Sequence, residues 1–130
     1  MKILKLMLFL AVSLPSAADD KRLASVKSIC IGRIGEIGSE ESIEFVRFAL
    51  RFELKKFGFT VVDSAQTADA VLYMTGWSSW PNTAVLSLAV LKAADGENIW
   101  EKEFQSRGAF GRAQNLGRLL RKDIRLAAKK

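Results

Sequence analysis

Three glycines spaced three apart, Gly32, Gly35 and Gly38, come nearest to a chemical motif in this chain. They lie between an apolar run and an acid-rich segment. A glycine-rich loop before a helix amino terminus can hold phosphate on its backbone amides. Asp63, closing the next apolar run, stands where an acid could meet a ribose. However, the spacing is G-x-x-G-x-x-G, not the dinucleotide pattern G-x-G-x-x-G. Glu40, Glu41 and Glu44 also put negative charge where a phosphate would sit. An ordinary flexible loop is the expectation, and no cofactor is expected.

Other chemistry is removed by composition. Histidine is absent and Cys30 is the single cysteine. Ser-His-Asp and Cys-His nucleophile systems therefore cannot be assembled, and a zinc site lacks its usual ligands. The carboxylates are scattered over what read as solvent faces, so no enzymatic activity is expected. Trp77 and Trp80 flank two serines between two apolar runs. Paired tryptophans can stack on a sugar or fold over one end of a core. They mark Trp77 and Trp80 as candidate ligand-binding residues, for a carrier of a small apolar or glycan ligand.

The amino terminus sets a compartment. Lys2 and Lys5 precede an apolar run from Leu6 to Leu14, broken only by Ser13, and Pro15-Ser16-Ala17-Ala18 supplies small residues before an acidic pair. This is the order of a secretory signal, and the run is too short to span a bilayer. The expected division is a signal peptide over 1–18 and one domain over 19–130, with an uncleaved anchor as the alternative. The localisation implied is periplasmic or secreted. Without Lys2 and Lys5 the chain carries 18 basic and 14 acidic residues, net +4. A chain of that length can bury one core without staples. One thiol gives no internal disulfide, and Cys30 in Ile29-Cys30-Ile31 reads as a buried small hydrophobe. It does not follow the cleavage point directly, so it is not a lipid-attachment cysteine.

Periodicity supplies the elements. A polar Asp19 to Ala24 reads as frayed, and Val26 to Ile31 as a strand ended by Gly32. A helix capped by Ser39 runs to about Phe57, with Gly58 ending it. Short strand Phe59 to Val62 follows, then strands over Asp69 to Thr75, Ala84 to Leu91 and Ile99 to Gln105. A last helix covers about Arg112 to Ala128. The order β-α-β-β-β-β-α implies an α+β fold, a single mixed sheet with two helices on one face. The expected core includes Ile29, Ile43, Val46, Leu50, Leu54, Val71, Leu72, Leu86, Leu88, Leu120 and Ile124.

Val26-Lys27-Ser28-Ile29, Lys56-Phe57-Gly58-Phe59, Ala68-Asp69-Ala70-Val71-Leu72 and Asp95-Gly96-Glu97-Asn98-Ile99-Trp100 together resemble a group of small bacterial envelope domains. The pattern is similar to the α/β domains of the curli-export lipoprotein family and the TolB amino-terminal domain. It spans most of residues 26–105 and carries no catalytic residues. The resemblance implies an envelope assembly or binding role; the acylated cysteine of the lipoprotein members is missing.

Two surfaces could serve such a role. On the first helix Ile43, Val46, Leu50, Leu54 and Phe57 share one face, while Phe45, Phe48 and Phe52 fall nearly opposite. A sheet covers only one of these stripes. The phenylalanines are either covered by the last helix or the amino-terminal tail, or form an exposed ridge for self-association or an envelope protein. On the last helix Arg118, Arg121, Lys122, Arg125 and Lys129 share a face, and residues 107–130 sum to +7. That face is either simply solvated or suited to an anionic membrane surface or acidic partner; an exported chain is poorly placed to meet nucleic acid. The expectation is a non-catalytic binding or assembly-accessory protein of the bacterial cell envelope, with the small-ligand carrier as alternative.

Overall fold

The computed structural model describes residues 17–35, 40–78 and 84–129. In chain order these form α1 (Ala17–Ala24), β1 (Ser28–Ile34), α2 (Glu40–Lys56), β2 (Thr60–Val62), β3 (Ala70–Ser78), β4 (Ala84–Ala93), β5 (Asn98–Arg107) and α3 (Gly108–Ala128). The strands make one five-stranded mixed sheet in the order β2-β1-β3-β4-β5. β1 is parallel to both β2 and β3, and β3, β4 and β5 form an antiparallel meander. The α+β architecture expected from the sequence is the observed one. No helix among the described residues is long and apolar enough to cross a membrane.

α2 ends where the chain can no longer hold α geometry. Gly58 takes φ +98°, which a side chain would strain. Its amide donates to Lys55 O at 3.0 Å, and the Phe59 amide donates to Leu54 O at 3.0 Å. This pair of bonds is a Schellman ending, and the apolar contact that accompanies it is supplied by buried Leu54 and Phe59. Phe59 thus enters the core immediately before β2. On the other side of the crossover, Asp69 Oδ2 accepts the amides of Lys27 at 2.9 Å and Ser28 at 3.0 Å. Those amides hold its carboxyl below the usual carboxylate range, despite an opposing contribution from burial. The start of β3 is thereby pinned beside the start of β1.

The core lies between the sheet and the helices. Ile29, Ile31 and Ile34 of β1, Leu72 and Met74 of β3, and Ala89 and Leu91 of β4 form one buried cluster with Val46, Leu50 and Leu54 of α2 and Leu116, Leu120 and Ile124 of α3. Trp100 closes its far side, with Nε1 donating to Asp123 Oδ2 at 2.9 Å. Asp123 also pairs with Lys102 Nζ at 3.5 Å, so one carboxylate on α3 holds two residues of β5. At the α2–α3 crossing a Cβ on Gly117 would stand 2.7 Å from Phe57 Cδ2, so only glycine allows this approach.

Several expectations are corrected. The segment Asp19 to Ala24 belongs to α1, a third helix; Leu23 is buried, and Arg22 bridges to Asp95 at 2.8 Å and Glu97 at 3.4 Å in the β4–β5 turn. Burying one leucine and tying one arginine to the turn stabilises a segment too short to hold itself. β1 continues through Gly32 to Ile34, and α3 begins at Gly108 instead of Arg112. Val71 and Leu88 are half-buried, not core. Inward positions of β3 are Ala70, Leu72 and Met74, and those of β4 are Ser87, Ala89 and Leu91, so Val71 and Leu88 face the other way. Both strand faces are apolar, which hides the alternation. Ile43 is partly buried against the cluster, and the Leu86 side chain lies outside the described residues.

Candidate functional site

The helix wheel of α2 decides where the aromatic residues go. Its inner stripe, Val46, Leu50 and Leu54, is buried. Phe45, Phe48 and Phe52, a turn apart on the outer side, are 49%, 59% and 55% exposed. The three rings therefore make an exposed apolar ridge, bordered toward its carboxyl end by exposed Lys55 and Lys56. Arg51 pairs with Asp63 at 3.2 Å. Arg47 is occupied differently: its Nη1 donates to Ile31 O at 3.1 Å and Gly32 O at 3.2 Å. β2 pairs only with Ser28 to Cys30, and Arg47 meets carbonyls beyond that pairing.

On α3, Arg118, Lys122, Arg125 and Lys129 are exposed. Arg121 is placed apart from them. Its guanidinium lies 5.2 Å from the Phe59 ring centroid and within 3.0 Å of where a Gly58 side chain would begin. It covers the end of α2 as a cation over an aromatic face. The solvent-facing cationic strip thus contains four of the five expected residues.

The glycine motif is dispersed. Gly32 is a strand residue with Tyr73 and Val71 so close that a Cβ would meet both at 2.9 Å. Gly35 donates its amide to Met74 O at 2.7 Å, and Gly38 lies outside the described residues. Among the described residues, Gly32 is thus packed in a strand and the Gly35 amide is engaged with β3. Trp77 stands in β3 opposite Leu86; its side chain, and Trp80 entirely, lie outside the described residues. Cys30 is a buried free thiol, as its apolar neighbours require.

Two buried charges escape the simple reading of the sequence. Glu53 is 5% exposed and Arg112 is 3% exposed. Glu53 Oε1 and Arg112 Nε and Nη1 have no hydrogen-bond partner among the described residues. Desolvation pushes the Arg112 guanidinium below its usual range. At about 100° per residue Glu53 falls beside Val46, and Arg112 at the border of the stripe containing Leu116. A stripe drawn wide enough for both the sheet and the partner helix would have included them.

The fold is shared with solved structures at low identity. The PelC dodecamer from Paraburkholderia phytofirmans matches in two crystal forms, with TM-scores of 0.57 and 0.55 at 13% and 12% identity. Each match covers 78% of this chain, and 90% and 88% of the respective PelC chain. Lipoprotein GNA1162 from Neisseria meningitidis matches with a TM-score of 0.50 at 20% identity, covering 78% of this chain and 96% of that one. The likeness is one of fold. No protein-family model and no curated protein sequence matches the chain.

Proposed function

We propose that this chain is an exported, non-catalytic binding or assembly-accessory protein of the bacterial cell envelope, acting in the periplasm or outside the cell. It recognises a protein surface through Phe45, Phe48 and Phe52, with the cationic strip of α3 assisting. The observation that carries this reading is the exposure of all three rings on a helix whose opposite stripe is buried. Each phenylalanine, about half in water, forgoes roughly 1 kcal/mol of transfer free energy, about half the value for full burial, and contiguous apolar surface of this kind marks contact sites. The signal-like order of residues 1–18 supports export. A dodecameric protein and a lipoprotein share the fold, which supports assembly in the envelope.

Two measurements test the proposal. Intact mass of the protein recovered after export is expected to lack residues 1–18, and a retained Met1 to Ala18 would overturn the secreted reading. Phe48→Ser is expected to keep the melting temperature while losing self-association or partner capture. A Phe48→Ser protein that binds as fully as the original would end the ridge reading.

A further inference from the structure

We propose that the partner of the phenylalanine ridge is a second copy of this chain, and that the ridge docks on the sheet face turned away from the helices. The inference rests on the reading of the ridge as a contact surface and names what it contacts.

α2 and α3 share one core with the inward-facing strand residues. The opposite sheet face is therefore uncovered by them. Register places its side chains in rows. Tyr73 lies opposite Val90, which lies opposite Glu101; Thr75 lies opposite Leu88, which lies opposite Glu103. Tyr73, Leu88 and Val90 are half-buried and form an apolar centre, while Glu101 and Glu103 are exposed and give it an acidic margin on β5. Lys92 Nζ, 5.8 Å from the Tyr73 ring centroid, closes one end of the patch.

The two surfaces match in character and in sign. The ridge brings three aromatic rings to a surface of aromatic and branched residues, where ring contacts add to the burial of area. Lys55 and Lys56 border the ridge, and Glu101 and Glu103 border the sheet patch. Apposition of these margins gives opposite charges across the contact, which fixes register and disfavours the inverted arrangement.

Position excludes the contact within one chain. The ridge is on the outer side of the helix layer and the patch is on the outer side of the sheet, so the molecule's thickness separates them. Each copy therefore offers one surface of each kind to two different neighbours. Such a contact is heterologous, and successive copies close into a ring or extend as a filament according to the rotation between them.

Sedimentation of the purified protein recovered after export tests this. The wild-type mass is expected to rise above monomer with concentration and to fall back in high salt. Glu101→Lys/Glu103→Lys, two exposed substitutions, is expected to weaken association about tenfold or more through like-charge repulsion. Adding Lys55→Glu/Lys56→Glu to that variant is expected to restore it. The sharpest result comes from mixing Phe48→Ser with Glu101→Lys/Glu103→Lys at a concentration where each alone is monomeric. One intact surface remains on each, so a species of two copies and nothing larger should form. If Glu101→Lys/Glu103→Lys associates as fully as the wild type while Phe48→Ser abolishes association, the ridge pairs with itself and the sheet-face proposal fails, although the ridge reading survives. A wild-type chain that remains monomeric throughout overturns the second copy as occupant. Association unaffected by Phe48→Ser overturns both.

Discussion

The two long sides of α2 obey opposite rules. On the inner side Val46, Leu50 and Leu54 disappear into the core, whereas on the outer side Phe45, Phe48 and Phe52 stay 49–59% exposed. The outer residues are the larger and more apolar ones. Burial in this helix is therefore set by where the sheet and α3 lie, not by which residues are most hydrophobic. A stripe that folding leaves exposed although it is the more costly one to hydrate is the natural place to look for association.

The largest test of that asymmetry is Leu50→Ala. Leu50 is fully buried, and truncation is expected to cost about 2–5 kcal/mol through lost transfer free energy and a cavity. Urea unfolding measures it, and a loss below about 0.5 kcal/mol would place the core on the wrong face. Gly117→Val comes next. The added side chain collides with Phe57 at the α2–α3 crossing, and forcing the helices apart should cost about 1–3 kcal/mol. An unchanged denaturation midpoint would mean that the crossing tolerates more space than its geometry allows.

Much of this architecture was legible because specific residues have local jobs. Gly58 ends α2 by its positive φ, Asp69 holds two amides of β1, Gly96 turns the β4–β5 hairpin at φ +89° and Trp100 anchors β5 to Asp123. These are the residues of the motifs Lys56-Phe57-Gly58-Phe59, Ala68-Asp69 and Asp95-Gly96 to Trp100, so those motifs record fold requirements. The ridge was legible for a related reason: a helix wheel separates two stripes without knowledge of tertiary contacts. What could not be read depended on packing between distant elements. Nothing local distinguishes Leu72 from Val71 in an all-apolar strand; only the side on which the helices land does. The same holds for Arg121, whose place over Phe59 depends on the α2–α3 crossing, and for Glu53, buried because α2 is covered from two directions.

Asp69 gives a smaller and pH-dependent effect. Its pKa is lowered in the folded state, so its contribution is present above the unfolded value near 3.8 and lost as pH falls through the folded one. Asp69→Asn is expected to cost about 1 kcal/mol at neutral pH, the low end for charge-assisted hydrogen bonds because solvent screens an exposed carboxylate. The wild-type and Asn proteins should converge in stability below pH 3.8. A difference that persists unchanged into strong acid would show that amide geometry, not charge, sets the effect.

The smallest effect is expected where the largest side chain is removed. Phe52→Ser deletes a ring that is 55% exposed. Phenylalanine and serine lie close together in helix propensity, so the backbone contribution nearly cancels. What remains is the covered part of the ring, under half of it, because the exposed part is hydrated in both states. The change in stability should stay within about 0.5 kcal/mol, against several times that for Leu50→Ala on the same helix. If the ridge were a second core, serine would leave a polar group in a cavity and lower the melting temperature by several degrees. A calorimetric scan of Phe52→Ser beside Leu50→Ala thus measures the two sides of α2 on one scale. Equal losses would erase the distinction on which the proposed association surface rests.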